Sequence, residues 1–192
     1  MPSSTTKIDI CSKALMKIGA SPIQSLEENT SESIISSQFY DIVKESLLSE
    51  HEWSFATKTQ ELNILNVESD QEGYENVFQL PHDLIRVLSI SSSANGISID
   101  YKLYQDEIHT NAEKVYITYI YRVGEKYFPQ FFVNLMTTSL AKEFVMPLTE
   151  DNSKYNSLMN ESIMLLSKAK NQDSDQTKIK KIKTFSLISS RN

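Results

Sequence analysis

The chain has 192 residues, 40% of them hydrophobic, and a formal charge of −6. That length accommodates one core, or a core with an insertion, and the apolar content offsets chain entropy over most of it, which excludes wholesale disorder. The acidic balance excludes a broad basic face that neutralises phosphates, and the single cysteine, Cys11, excludes an internal disulfide.

The first segment places Ile8, Cys11, Leu15 and Ile18 at spacings of three and four, one face of a helix over about 5–19. Ser and Thr at positions 3 to 6 suit its start, Gly19 its left-handed cap, and Pro22 cannot continue it. Cys11 lies on the apolar stripe and is expected to be a small core residue. No charged leader with a long apolar run opens the sequence, and nowhere do about 18 apolar residues follow one another, so a reducing cytoplasm and no membrane partner are expected. The sequons at Asn29 and Asn160 carry no weight in that setting.

Thr30 starts a second helix that carries Ile35, Phe39, Ile42, Val43 and Leu47 and runs to about His51. Trp53 and Phe55 follow, two aromatics expected at the joint between a helical bundle and a sheet. From 58 to 123 the pattern becomes short and β-branched, punctuated by Gly73, Pro81 and Asn95-Gly96. Strands are predicted over 61–66, 76–80, 85–91, 97–101 and 115–122, with Asn95-Gly96 as a type I′ hairpin turn. The last strand has large groups on both faces and should be central. Helical spacing returns after Pro129 in Phe132, Leu135, Met136, Leu140 and Phe144, and after Pro147 in Tyr155, Leu158, Met159, Ile163 and Leu166.

The expected fold is α+β, mainly α: a four-helix bundle (5–57 and 124–170), a small antiparallel β-sheet inserted between helices 2 and 3 (58–123), and a flexible C-terminal arm (171–192). From Asn171 onward Lys178, Lys180, Lys181, Lys183 and Arg191 stand against Asp173 and Asp175, so the arm is basic and the rest is strongly acidic. Ile179, Ile182 and Phe185 are interleaved with the lysines, a combination suited to docking on a partner protein.

No motif in the chain declares a catalytic centre. Gly19, Gly73, Gly96 and Gly124 are too dispersed to cradle a phosphate, and His51, His82 and His109 have neither helical pairing nor a nearby cysteine for zinc, so no cofactor or metal is expected. His82-Asp83 beside Pro81 reads as a turn in which Asp83 accepts backbone hydrogen bonds or pairs with Arg86. The acids Glu27, Glu28, Asp106 and Glu107 read as solvated, and Glu45, Glu50 and Glu52 as the exposed face of the second helix.

Three stretches, residues 10–27 (ICSKALMKIGASPIQSLE), 49–56 (SEHEWSFA) and 78–88 (FQLPHDLIRVL), together with the order of elements, resemble the tail tubular protein A family of short-tailed phages, among the head-tail connector adaptors. The resemblance implies a non-enzymatic virion protein made in the bacterial host cytoplasm. It implies a subunit of a dodecameric ring beneath the portal protein, with the tail nozzle protein below and DNA passing through the bore unbound. It supplies no catalytic residue. Two other readings remain open from the residues: a DNA-binding module using the basic arm, and a hydrolase built on dispersed carboxylates.

Overall fold

A computed structural model describes residues 5–94 and 96–176. The fold is α+β and mainly α, with four helices and two small antiparallel sheets between the second and third. Helix α1 (Lys7–Ile18) opens on a capping box, in which the Thr6 hydroxyl accepts from Asp9 N and the Asp9 carboxylate accepts from Thr6 N. It closes on Gly19 at φ 88°, whose N–H satisfies the Leu15 and Met16 carbonyls, a conformation that favours glycine. Thr30 caps α2 (Ser31–Ser49), which ends two residues before the expected His51. Beyond it Trp53 turns into a 3₁₀ turn, Ser54–Ala56, that delivers the chain to the first strand.

The sheet region departs from expectation in number and register. The first sheet has the order β1-β7-β4, from β1 (Thr57–Glu61), β7 (Tyr116–Tyr121) and β4 (Leu84–Ser91). The second has the order β2-β3-β6-β5, from β2 (Ile64–Leu65), β3 (Asn76–Gln79), β6 (Glu107–Thr110) and β5 (Lys102–Tyr104). The expected strand 61–66 is thus two strands in different sheets. Leu62 buries at the crossing, and its N–H donates to Val115 O at 2.8 Å. The expected strand 97–101 contributes only a single bridge, Ser98 to Ser91. Pairing falls instead to β5 and β6 around a two-residue turn, Gln105–Asp106, with Gln105 at φ 52° and no glycine to announce it. The predicted hairpin residue Asn95 lies outside the described residues.

Strand β7 is central in its sheet, as its two bulky faces predict. Ile117 and Tyr119 bury with Phe78, Ile90 and Ile108 in a core between the sheets, while Ile120 joins the helical core. Two layers therefore share one strand.

Helix α3 (Gln130–Thr149) runs through Pro147, which was expected to separate two helices. Pro147 sits in the last turn, where its missing N–H removes a single bond, to the carbonyl four residues back, and only two helical residues follow it. Glu150 at φ 52° then makes the left-handed cap. Phe132, Val133, Leu135, Met136, Leu140, Ala141, Phe144 and Val145 of α3 are all buried, and α1, α2 and α4 (Asn152–Gln176) pack around them. Cys11 is buried in the same core, as its stripe position predicts, and burial pushes its thiol up to about 11.

Helix α4 also corrects the start of the arm: residues 171–176 are helical. Asp173 is 1% exposed, and its carboxylate accepts from Ser54 N at 2.9 Å and from Ser54 Oγ at 2.7 Å, tying the last turns of α4 to the 3₁₀ turn. An acid that caps a distant turn holds a stretch that composition alone marks as loose. Asp173→Ala strips two charge-assisted bonds and should cost about 2 kcal/mol in urea unfolding, with faster amide exchange over residues 168–176. Unchanged exchange there would show that Asp173 does not anchor the helix end.

Candidate functional site

The passage from α2 to β1 is tied by ring packing and by hydrogen bonds to elements distant in sequence. Trp53 is fully buried, donates Nε1–H to Leu47 O at 2.8 Å, and meets Phe132 edge-on with ring centres 5.2 Å apart. Phe55 packs against Phe132 and Phe128 with centres at 5.0 and 6.2 Å. The indole has its one donor satisfied and its faces covered, so these side chains join elements together and leave no ligand-facing group. His51 stands over Trp53 at 4.9 Å, and burial holds its imidazole below the ordinary value despite the Asp173 charge.

A polar seam runs from α2 to the sheet region. Lys44, whose side chain is 7% exposed, donates to Glu125 Oε1 at 2.7 Å, and the Tyr40 hydroxyl donates to the same oxygen at 3.2 Å. Burial acts to raise the Glu125 carboxyl, but hydrogen bonds from Lys44, its own backbone and Tyr40 outweigh it, so the group lies below its ordinary value. Burial, with the Glu125 charge behind it, pushes the Tyr40 hydroxyl up. Glu50 and Glu52 are exposed, as expected, with Glu52 3.8 Å from Arg86, while Glu45 is half-buried and pairs with Arg122 at 2.6 Å. Arg86 also donates to Ser49 O at 2.8 Å, which takes up the last carbonyl of α2.

Asp83 corrects a sequence reading. Its partner is Lys58 on β1, at 2.7 Å, with the Tyr119 hydroxyl donating at 3.0 Å, whereas Arg86 faces α2. Lys58 on β1 and Asp83 in the turn before β4 meet across the intervening strand β7, over a separation that linear spacing does not reveal. The third region of interest surrounds His109, buried on β6. Its Nδ1 lies 2.9 Å from Ser69 Oγ, and its Nε2 lies 3.5 Å from Glu107 and 3.8 Å from Asp70 without a hydrogen bond. Among the described residues no group of three His, Cys, Asp or Glu is arranged to hold a metal, and no helix is long and apolar enough to cross a membrane.

A mostly apolar trough of about 340 Å³ lies between α2 and α4, floored by α3. Phe39, Ile42 and Val43 line one wall, Ile163 and Leu166 the other, and Leu135 the floor. Ile42 and Ile163 are 66% and 58% exposed. Glu50 and Glu143 stand in the lining, near Lys170 at 3.9 Å and Lys142 at 2.9 Å. Chemically this is a surface for covering by apolar side chains.

The sequence-derived docking residues Lys178, Ile179, Lys180, Lys181, Ile182, Lys183 and Phe185 lie outside the described residues. Trp53 and Phe55 are brought together at the α2–β1 passage. Lys44, Glu125 and Asp173 were missed. The signal for Lys44 was available, since it shares the helical face of Tyr40, Leu47 and Leu48, and Asp173 likewise falls four residues beyond Ala169 on a buried stripe. Comparison of the sequence with protein-family models and with curated proteins finds no match.

Removing one member of the Lys44–Glu125 pair leaves a half-buried charge alone. Lys44→Met or Glu125→Leu should each cost about 3 kcal/mol, and the double variant clearly less than their sum. Because the folded chain holds Glu125 below its ordinary 4.5, the pair's contribution is complete above that value and is lost as the pH falls through the depressed one. Thermal unfolding between neutral and acid pH should therefore show a shallower decline for Glu125→Leu than for the wild type. Equal declines, or additive single costs, would remove the pair as a determinant of the α2 seam.

Proposed function

We propose that this chain is a structural adaptor of the phage head-tail connector, of the tail tubular protein A type, that assembles as a ring between portal and tail nozzle. One observation carries the reading. The three stretches that resemble the family fall at the junctions of this fold: the α1 exit with its Gly19 cap, the Trp53 passage from α2 into β1, and the β3–β4 turn at Pro81. Junction residues determine how helices and sheets are laid out, so likeness there supports a shared layout of paired helices, inserted sheets and closing helices.

The charge supports the same reading. A ring multiplies the acidic excess of each subunit, and acids facing a bore keep DNA from being gripped as it passes. Cyclic closure needs two different complementary patches on each subunit. In this proposal the basic residues Lys178, Lys180, Lys181 and Lys183, with Ile179, Ile182 and Phe185, clasp an adjoining protein during assembly, most simply the portal. No cofactor, metal or catalytic residue has a part in it.

The test is to incubate the purified chain with its cognate portal and examine the product by electron microscopy and mass photometry. The expected result is a ring added at one end in a fixed multiple of the subunit mass, with an open axis. The triple variant Ile179→Asp, Ile182→Asp, Phe185→Asp should weaken that association at least tenfold. An intact portal that gains no density at native salt overturns the adaptor reading; tight binding to DNA that collapses with added salt would replace it with a phosphate-binding module.

A further inference from the structure

The trough between α2 and α4 presents apolar side chains to water. Its walls present Ile42 and Ile163, both more than half exposed, beside Phe39 and Leu166. Ile35 lies one turn from Phe39 and Met159 one turn from Ile163, extending the apolar walls along both helices. A continuous apolar strip of this kind on two parallel walls has the shape of a seat for an amphipathic segment.

We propose that residues 177–192 of the same chain fold back and occupy this trough, with Ile179, Ile182 and Phe185 on its floor and walls. Three observations favour this occupant. First, the residues after Gln176 carry Ile179, Ile182, Phe185, Leu187 and Ile188, and the first three recur at every third position, as one side of a docked segment requires. Second, charge is complementary. Those residues contain Lys178, Lys180, Lys181, Lys183 and Arg191 and no acid, while the body they leave is more acidic than the chain as a whole, and the trough lining itself carries two acids, Glu50 and Glu143, against one base, Lys142. Third, the reach is sufficient. Leu166 lies ten residues before the end of α4, which is about 15 Å along the helix. The sixteen residues beyond Gln176 span up to about 55 Å when extended.

Intramolecular docking has the further advantage of a high effective concentration, so modest apolar contact suffices to hold it. The tail then serves as a latch. It shields the trough in the free subunit and is released when a surface of higher affinity takes the same apolar residues. The latch does not depend on the adaptor reading, since it is a property of the isolated chain.

A spin label on Ser186→Cys tests it directly in the full-length protein. Cys11 is buried and resists labelling, so the new thiol is the reactive one. The expected result is loss of at least half the amide signal intensity at Ile42, Ser46, Ile163 and Leu166, with residues in β2 and β5 unaffected. The pair Ile42→Asp, Ile163→Asp should restore these signals at the remaining positions while the rest of the spectrum stays folded. Mixing labelled, isotope-free chain with unlabelled, isotope-enriched chain separates the occupants: no broadening supports the latch, and broadening of the trough in that mixture alone overturns it in favour of a second copy. Absence of broadening at the trough in the singly labelled chain also overturns it. Failure of the portal experiment leaves every one of these readouts unchanged, so the two ideas fall separately.

Discussion

The fold depends on a helix that buries most of its length. Around α3 the buried residues Phe132, Val133, Leu135, Met136, Leu140, Ala141, Phe144 and Val145 point in several directions, and Thr138 and Ser139 are buried with them. A helix with so wide an apolar surface needs neighbours on several sides to cover it. The other three helices are arranged by that demand. Lys17 of α1 reaches both Thr138 and Glu161, and Lys154 of α4 donates to the Ile18 carbonyl, so charged side chains stitch the outer helices together over α3. These exposed links add little energy each but settle which helix lies beside which.

The same logic explains how the sheets are attached. Strand β7 serves both layers, because Ile117 and Tyr119 enter the core between the sheets and Ile120, on the opposite face, joins the helices. Val123, just past the strand, buries among the helices, and the chain then enters the 3₁₀ turn Glu125–Tyr127 that holds Lys44. The helical and sheet layers are thereby fixed to each other at both ends of the insertion: Trp53 and Phe55 on the way in, Val123 and Glu125 on the way out. An insertion attached in this way transmits displacement of the sheets to α2, since apolar packing and a half-buried ion pair resist shear together.

Much of this was legible because helix ends and apolar stripes are local properties. Thr6, Gly19 and Thr30 identify their caps from residue type, and the stripes of α1 and α3 identify their buried faces. What escaped the sequence is non-local. Leu62 marks where the chain crosses between sheets, but only the partner carbonyl of Val115 reveals it. The Gln105–Asp106 turn carries no glycine, while the Asn-Gly pair that does suggest a turn lies beside residues that pair only through Ser98. Composition misplaced the start of the arm because Asn, Asp and Ser read as solvated until Ser54 arrives to receive Asp173. The polar groups that matter were thus misread for one reason: their meaning lies in a partner dozens of residues away.

That distinction bears on where function resides. The aromatic joint, the seam and the Lys58–Asp83–Tyr119 cluster are mutually satisfied, each charge or donor facing a partner within the body. Such groups stabilise the layout and leave little free energy for recognising another molecule, because binding would first have to break what they already hold. The trough is the opposite case. Its Ile42 and Ile163 are exposed in the body described here, so covering them removes apolar surface from water without breaking any hydrogen bond. A basic, apolar segment joined to an acidic body with an open trough is therefore the arrangement in which a change of partner costs least. In the latch proposed above, exchange at the trough would draw on that asymmetry between a satisfied interior and an exposed apolar surface.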